Sequence, residues 1–140
     1  MTIQTEQIIP NGWYSRFEFI KGVAAFNQLP EDNGVEVAFA GRSNVGKSSA
    51  WNKITNRRSL ARTSKSPGRT RELNYFAYDE STHIVDLPGY GYAKVDETMR
   101  NTWAKLLERY LRERISLKGV FLIMDIRHPM GNFDQIMLDY

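Results

Sequence analysis

Apolar and polar residues alternate along the chain in patterns that predict several β-strands. Residues 35–40 (VEVAFA) are mostly apolar or β-branched, which is typical of a buried strand, and a glycine follows them. Residues 72–88 contain two strand-forming runs around the turn residues DEST, so they predict a hairpin. Residues 119–126 (GVFLIMDI) are almost wholly apolar, which indicates a parallel strand that is buried on both faces.

Three helices are predicted between and after these strands. Residues 47–56 indicate a short helix whose inward side chains are Ala50, Trp51 and Ile54. Residues 96–116 form the second predicted helix, which is clearly amphipathic and has Asp96 as its N-cap. Its apolar stripe consists of Met99, Trp103, Leu106, Tyr110 and Leu111. Residues 132–140 begin the third helix.

The order of these elements predicts an α/β fold. Strand, glycine loop, helix, hairpin, helix and strand are typical of a mostly parallel sheet, in which residues 73–78 are expected to form one antiparallel edge strand. Residues 1–34 are interpreted as an N-terminal extension that packs on the domain formed by residues 35–140.

The composition is that of one ordinary globular domain. The chain of 140 residues is long enough for one core, and its 41% apolar and 25% charged residues are typical of soluble domains. It has no cysteine, so disulfides and thiolate zinc sites are excluded and a reducing cytoplasm is the expected setting. The longest apolar run, residues 119–124, is too short to span a membrane, and residues 1–10 do not resemble a signal peptide.

Positive charge is concentrated between the first helix and the hairpin. Residues 53–71, named here the basic stretch, contain no acidic residue and carry seven cations, which are Lys53, Arg57, Arg58, Arg62, Lys65, Arg69 and Arg71. Such a stretch is either a solvated loop or a surface that meets a phosphate backbone, and the sequence leaves both open.

Residues 41–48 (GRSNVGKS) match the phosphate-binding pattern G-x-x-x-x-G-K-[ST] between a predicted strand and a predicted helix. Gly41 and Gly46 allow the tight turn and the close approach to phosphate oxygens. The backbone N–H groups around Asn44 and Lys47 form an anion nest at the start of the helix. Lys47 supplies a point charge to the outer phosphates, and Ser48 offers a hydroxyl to Mg²⁺. The remaining residues of this loop are Arg42, Ser43 and Val45.

Two further motifs complete the predicted site. Asp86, Leu87, Pro88 and Gly89 form a D-x-x-G motif at the end of a strand, where the aspartate can hold a metal ion through water and the Gly89 N–H can reach the outermost phosphate. Thr70, just before the hairpin, is the candidate whose hydroxyl binds Mg²⁺ and whose N–H contacts the γ-phosphate. Thr63 and Ser66 are rivals for this role.

The motifs GRSNVGKSS, SKSPGRT, DLPGYGYAKV and DIRHP together resemble the EngB family of P-loop GTPases, over about residues 35–140. The resemblance implies a three-layer sandwich and a site that binds GTP or GDP with Mg²⁺. It assigns the phosphates to residues 41–49, including Ser49, and the Mg²⁺ ligands to Ser48, Thr70 and Asp86. It implies that Lys47, Thr70 and Gly89 assist hydrolysis, and that the first switch consists of Gly68, Arg69, Thr70, Arg71 and Glu72.

The resemblance also implies a cellular role. The family assembles the large ribosomal subunit and is linked to cell division and septation. The implied protein is therefore a slow, monomeric, cytoplasmic GTPase that contacts ribosomal RNA and ribosomal proteins and no membrane. Asn44 resembles the asparagine with which related GTPases hold K⁺ between the phosphates.

One departure from the family pattern leaves open which nucleotide base, guanine or adenine, the protein binds. The family reads guanine with an [NT]-K-x-D motif on a later strand, and no such motif follows residue 119. The resemblance thus implies a domain whose C-terminal part is missing from this sequence. A P-loop ATPase or kinase, or a module that binds nucleotide without turnover, remain the alternatives.

Overall fold

The computed structural model describes Gly12 and residues 16–42, 46–55, 72–89 and 97–140. Within these ranges the chain forms five strands and three α-helices, with a short 3₁₀ turn at Phe26–Gln28. The strands are β1 (Glu18–Val23), β2 (Val35–Gly41), β3 (Leu73–Ala77), β4 (Thr82–Asp86) and β5 (Leu117–Ile123). The helices are α1 (Lys47–Ile54), α2 (Glu97–Glu113) and α3 (Asn132–Leu138).

The strands form one mixed sheet in the order β1-β3-β4-β2-β5. Strand β2 is parallel to both of its neighbours, β4 and β5, whereas β3 is antiparallel to β1 and β4. Four strands therefore point the same way and only β3 runs against them. The prediction of an α/β fold with a mostly parallel sheet is confirmed.

The predicted position of the antiparallel strand is wrong. Residues 73–78 were expected at the edge, but β3 lies inside the sheet because β1 pairs with its outer side, from Glu18 opposite Ala77 to Val23 opposite Leu73. The described part of the predicted N-terminal extension thus supplies a strand to the same sheet.

Apolar side chains cover both faces of the sheet and give the fold three layers. Successive residues of a strand point to opposite faces. Ala38 and Ala40 of β2 belong to a core that also contains Leu106 and Tyr110 of α2. Phe39, between them, belongs to a second core with Trp51 of α1. Helices α1 and α2 therefore lie on opposite faces, as in the predicted sandwich.

The apolar stripe of α2 is confirmed where the structure describes it, but two other burial predictions are wrong. Ile54 was expected to point inward and is 46% exposed, because the inward position one helical turn after Trp51 belongs to Thr55, which is 0% exposed. Strand β5 was expected to be buried on both faces, yet Val120 and Phe121 are exposed. Within the described residues, β5 has a partner on one edge only, namely β2.

Strand β5 also begins and ends earlier than the apolar run 119–126. Pairing begins early because the Ser116 carbonyl already accepts a hydrogen bond of 2.7 Å from the Glu36 N–H. The strand ends at Ile123 because Asp125 forms a turn in which its carboxylate accepts the Arg127 N–H at 2.9 Å. The boundaries follow from hydrogen bonds to polar neighbours, which the pattern of apolar residues does not show.

The predicted N-cap of α2, Asp96, lies outside the described residues.

A buried ion pair joins the end of α2 to the start of β2. Glu36 is 1% exposed and Arg114 is 8% exposed. Arg114 Nε donates to Glu36 Oε1 at 2.6 Å and its terminal nitrogen donates to Oε2 at 3.2 Å. The Tyr75 hydroxyl donates to the same carboxylate at 3.2 Å. Burial raises the pKa of Tyr75 well above its usual value, so this phenol remains a donor at all ordinary pH values.

The turn after α2 is held by Asp32. Its two carboxylate oxygens accept the backbone N–H groups of Ile115 and Ser116 at 2.9 and 2.7 Å. The polar groups at this turn therefore have partners, and the chain is directed from α2 into β5.

We expect Arg114→Ala to lower the free energy of unfolding by about 3–5 kcal/mol, because it leaves the Glu36 carboxylate buried without its counter-charge. The matched control is Arg112→Ala, whose pairing with Glu108 is largely exposed, with side-chain exposures of 62% and 47%. That change should cost less than about 1 kcal/mol. Urea unfolding of both variants measures the difference, and equal losses would contradict the assignment.

Candidate phosphate-binding site

The predicted phosphate loop begins at the carboxyl end of β2, an inner strand of the sheet. Strands β2 and β4 are parallel neighbours, so their carboxyl ends meet at the same edge of the sheet, where open α/β sheets bind ligands. Phe39 of β2 is in register with Asp86, the last residue of β4. Two residues beyond Phe39, β2 ends at Gly41, and the chain enters α1 at Lys47. This register brings the two motifs to one place.

Gly46 makes the turn into α1. Its φ of +95° lies in the left-handed region, which residues other than glycine rarely adopt. A Cβ added here would meet nothing within 4 Å, so the backbone angle and not crowding requires glycine. The turn leaves the first N–H groups of α1 without intrahelical acceptors, and such groups bind anions well.

Trp51 fixes α1 on the sheet below this loop. Its ring is 1% exposed and packs against Phe39 at 5.3 Å and Phe76 at 5.6 Å between centroids. It lies one helical turn after Lys47, so the burial of Trp51 sets the position of the helix that carries the lysine.

The ammonium of Lys47 and the carboxylate of Asp86 form a buried ion pair at this edge. Lys47 Nζ donates to Asp86 Oδ1, and the two side chains are 10% and 2% exposed. The backbone of Asp86 is held in place because the next residue, Leu87, donates its N–H to the Phe39 carbonyl at 3.0 Å. The carboxylate is therefore presented by a rigid strand end.

The other oxygen of this carboxylate, Asp86 Oδ2, is buried and has no hydrogen-bond partner among the described residues. An unsatisfied buried carboxylate oxygen is costly, so a proton donor, a water or a cation is the group that fits it. Carboxylate oxygen is a hard ligand, which is the kind that Mg²⁺ prefers. Asp86 thus fits the predicted role at a metal ion. The part of the chain that the structure describes holds no group of three or more His, Asp or Glu side chains around a common metal position.

The structure brings some of the predicted residues together and leaves others undescribed. Gly41 is buried and in register with Ile123 of β5, Arg42 and Ser49 are exposed, and Leu87 is buried with Pro88 and Gly89 following it half-buried. Ser48 lies in α1, and its side chain is outside the described part. The other predicted residues outside the described part are Ser43, Asn44, Val45, Gly68, Arg69, Thr70 and Arg71.

Glu72, at the end of the predicted first switch, lies against the edge strand. Its carboxylate is so close to the backbone of Gly22 in β1 that a Cβ on Gly22 would collide with Glu72 Oε2. Its role at the γ-phosphate stays a prediction.

Sequence reasoning assigned Lys47 and Asp86 to ligands and missed that they bind each other. It also missed Asn74, which is 5% exposed and in register with Asp86 on the other side of β4. The available signal was a polar residue inside the otherwise apolar run LNYFA, residues 73–77.

Comparison with known proteins agrees with this geometry. Residues 36–140 match the family model described as 50S ribosome-binding GTPase. The chain is 56% identical over 125 residues to the probable GTP-binding protein EngB of Vibrio parahaemolyticus, a match that covers 89% of this chain and 57% of that protein. It is 54% identical over 125 residues to the proteins of the same name from two strains of Vibrio vulnificus, covering 89% of this chain and 58% of each of them. The chain thus spans little more than half the length of these curated relatives.

We expect Gly46→Ala to lower the free energy of unfolding by about 1–2 kcal/mol, because the left-handed backbone angle becomes strained. Gly119→Ala is a matched control, since a Cβ there also meets nothing within 4 Å and no positive φ is present. In a strand, that change should be neutral or stabilise the chain by up to about 1 kcal/mol. Thermal unfolding of both variants compares them. If Gly46→Ala lowers the free energy of unfolding no more than Gly119→Ala does, a side chain at position 46 does not strain the turn.

Proposed function

The chain belongs to the 50S ribosome-binding GTPase family as an EngB-type member, and we propose that it binds GTP and GDP and slowly hydrolyses GTP. The observation that carries this proposal is the meeting of Lys47 with Asp86 at the carboxyl ends of β2 and β4, directly after the left-handed turn at Gly46. A cation, a helix N-terminus and a nearby metal-binding carboxylate are together well suited to bind a phosphate chain.

Each residue has a defined task in the proposed site. Lys47 neutralises the outer phosphates, and the N–H groups from Gly41 to Ser49 hold the phosphate oxygens. Ser48, Thr70 and Asp86 are the residues that would hold Mg²⁺, and the buried Oδ2 of Asp86 supports the last of these. Mg²⁺, when bound, supplies positive charge against the phosphates.

Hydrolysis is proposed to depend on positioning more than on a general base. The backbone N–H groups of Thr70 and Gly89 would orient the outermost phosphate, and Lys47 would stabilise the charge that develops on it. Asn44 is the proposed ligand of a K⁺ ion that adds charge between the phosphates. Hydrolysis without a partner would be slow, because the residue that directly follows the D-x-x-G motif is Tyr90, whose phenol is a poor general base for the attacking water at neutral pH.

The wider role is proposed from the family. The protein would act in the cytoplasm as a monomeric switch that, in its GTP-bound form, joins the assembling large ribosomal subunit, and its loss would disturb cell division and septation. The switch residues Gly68 to Glu72 and the second motif Asp86 to Gly89 would change conformation with the nucleotide. The basic stretch, next to the first switch, would contact ribosomal RNA phosphates.

We expect Lys47→Ala to reduce GTP affinity by about 2–4 kcal/mol, because a charge pair in a partly dehydrated site is truncated. The measurement is a titration of fluorescent GTP into the full-length product of the gene that encodes this chain, with unlabelled GTP and ATP as competitors. Lys53→Ala is the control, because Lys53 lies on the same helix and is exposed. Displacement of the probe by ATP as readily as by GTP would contradict guanine binding, and unchanged affinity in Lys47→Ala would contradict the phosphate assignment.

The proposed contact with ribosomal RNA gives a second test. Neutralising Arg57, Arg58 and Lys65 together should reduce the slope of log affinity against log salt by about 2–3 for binding of the GTP-loaded protein to large-subunit precursors, because each phosphate contact releases counterions. Neutralising Arg109, Arg112 and Lys118, which lie in α2 and β5, provides a control with the same change of charge. An unchanged slope for the first variant would show the basic stretch to be a solvated loop.

A further inference from the structure

We propose that residues 24–34, named here the strap, hold the C-terminal half of α2 against the sheet, so that nucleotide-dependent movement is confined to the N-terminal half. The strap joins β1 to β2 and lies before residue 36, where the match to the family model begins. The proposal goes beyond the function proposed above, and it rests on that function only in taking residues 86–89 to change conformation with the nucleotide.

Helix α2 is unevenly buried along its length. Four of residues 101–105 are exposed, and the fifth, Trp103, is half-buried. The next turns carry Leu106, Leu107 and Tyr110, which are 5%, 6% and 0% exposed and belong to the core on this face of the sheet. A helical segment that buries little apolar surface opens at a lower free-energy cost than one that belongs to a core. The two halves of α2 therefore differ in local stability, and the change lies near Leu106.

The strap covers the C-terminal half of α2. Phe26 and Leu29 of the strap pack against the core to which the buried residues of this half belong. The guanidinium carbon of Arg109 lies 3.7 Å from the centre of the Phe26 ring, which is a close cation–π contact. Arg109 also pairs with Glu113 of the same helix at 3.2 Å, so its side chain is held on both sides.

The strap has a fixed shape of its own. Gln28 Oε1 accepts the N–H groups of Ala24 and Ala25 at 2.9 and 3.2 Å, and the 3₁₀ turn at Phe26–Gln28 begins directly after them. The two ends of the strap continue into β1 and β2, which both belong to the sheet. Because the sheet fixes both ends, the position of the Phe26 ring does not depend on α2 alone.

The strap also holds the turn by which the chain leaves α2. Besides the two backbone hydrogen bonds to Asp32 described above, the Gly34 N–H donates to the Ser116 hydroxyl at 3.1 Å. A terminal nitrogen of Arg114 donates to the Glu31 carbonyl at 3.4 Å. These contacts fix the chain directly after the helix, so any displacement of its last turns would break several of them together.

Movement at the nucleotide site reaches α2 from the opposite end. Helix α2 is the first described element after residues 86–89. A rearrangement of that motif therefore acts first on the exposed N-terminal half, where opening of the helix costs least. Beyond Leu106, burial in the core and the contact of Arg109 with Phe26 oppose displacement. The strap thus determines how far along α2 a change of nucleotide is felt.

Hydrogen exchange followed by NMR tests the strap on the full-length product of the gene that encodes this chain. In the nucleotide-free wild type we expect amides 107–113 to exchange at least about tenfold more slowly than amides 101–105. Phe26→Ala should speed exchange at amides 107–113 by about tenfold relative to the Phe39 and Ala40 amides of β2, because the ring under Arg109 is lost. The β2 amides report global unfolding, so this ratio separates loss of the strap contact from general destabilisation.

Arg109→Gln is a milder variant that removes only the cation from the Phe26 ring. It should speed exchange at amides 107–113 by about threefold. Arg112→Gln is the matched control, since Arg112 also forms an i,i+4 pair on α2, with Glu108 at 3.5 Å. Its guanidinium lies 5.5 Å from the centre of the Tyr140 ring and not over the strap, so this change should leave those amides unaffected. Equal effects of the two arginine variants would overturn the proposal.

The nucleotide-dependent part compares the protein saturated with GDP and with a non-hydrolysable GTP analogue, each with Mg²⁺. In the wild type the difference in exchange between the two complexes should be confined to amides 101–105, and in Phe26→Ala it should extend to amides 107–113. A difference that already reaches amides 107–113 in the wild type, or no difference anywhere along α2, would overturn the proposal.

Two results without nucleotide would also overturn it, namely equal exchange of the two halves of α2 in the wild type, or unchanged exchange at amides 107–113 in both Phe26→Ala and Arg109→Gln. Failure of the wild type to bind either nucleotide would overturn the proposed function. The nucleotide-free comparison of the variants would then still decide whether the strap holds α2.

Discussion

Parallel pairing of β2 with β4 is the constraint on which the rest of the described structure depends. It places Phe39 beside Asp86, so the phosphate loop that follows β2 and the acidic motif that ends β4 open at the same edge. It also places Glu36 beside His83 at the other end of the two strands, where Arg114 reaches the Glu36 carboxylate. One pairing thus aligns two buried ion pairs, one in the candidate site and one that attaches α2. Both ion pairs need a fixed backbone, since a charge is tolerated inside a protein only when its partner is held in position.

The parts of the fold that sequence predicted well are those with strong local signals. Strand β2, the glycine-rich loop and α1 follow one another within twenty residues, and their order is sufficient to predict a phosphate site before any contact is known. Helix α2 is recognisable because its apolar stripe has the helical period. Strand β1 gave no such signal, since EFIKGV at residues 18–23 carries charges and a glycine, and its place in the sheet depends on a partner strand that lies fifty or more residues away. The exposed surface of β5 was missed because its apolar run suggests burial, whereas actual burial depends on whether other elements of the fold cover the strand.

The candidate site shows the same division between local and distant information. Gly46 and Lys47 were predicted from their spacing, and the left-handed angle at Gly46 is what the loop pattern demands of its second glycine. The pairing of Lys47 with Asp86 joins residues 39 positions apart, and that of Arg114 with Glu36 joins residues 78 positions apart. A single sequence with 19 basic and 16 acidic residues contains many possible pairs, and only the packing of the sheet selects these two. Sequence thus identified which residues carry charge at the site, and the structure was needed to show which charges neutralise one another.

The close approach of Glu72 to Gly22 has a consequence for how this protein can change over evolution. Gly22 belongs to the edge strand, which lies before the region matched by the family model, whereas Glu72 is the last residue of the predicted first switch. A Cβ at position 22 would lie 1.9 Å from Glu72 Oε2, so the exposed Glu72 side chain would have to turn away to make room for it. The residue at position 22 therefore influences which conformations the side chain at position 72 can adopt. Epistasis of this kind ties the sequence of the N-terminal segment to that of the switch, although the two are separated by the whole phosphate loop and the basic stretch.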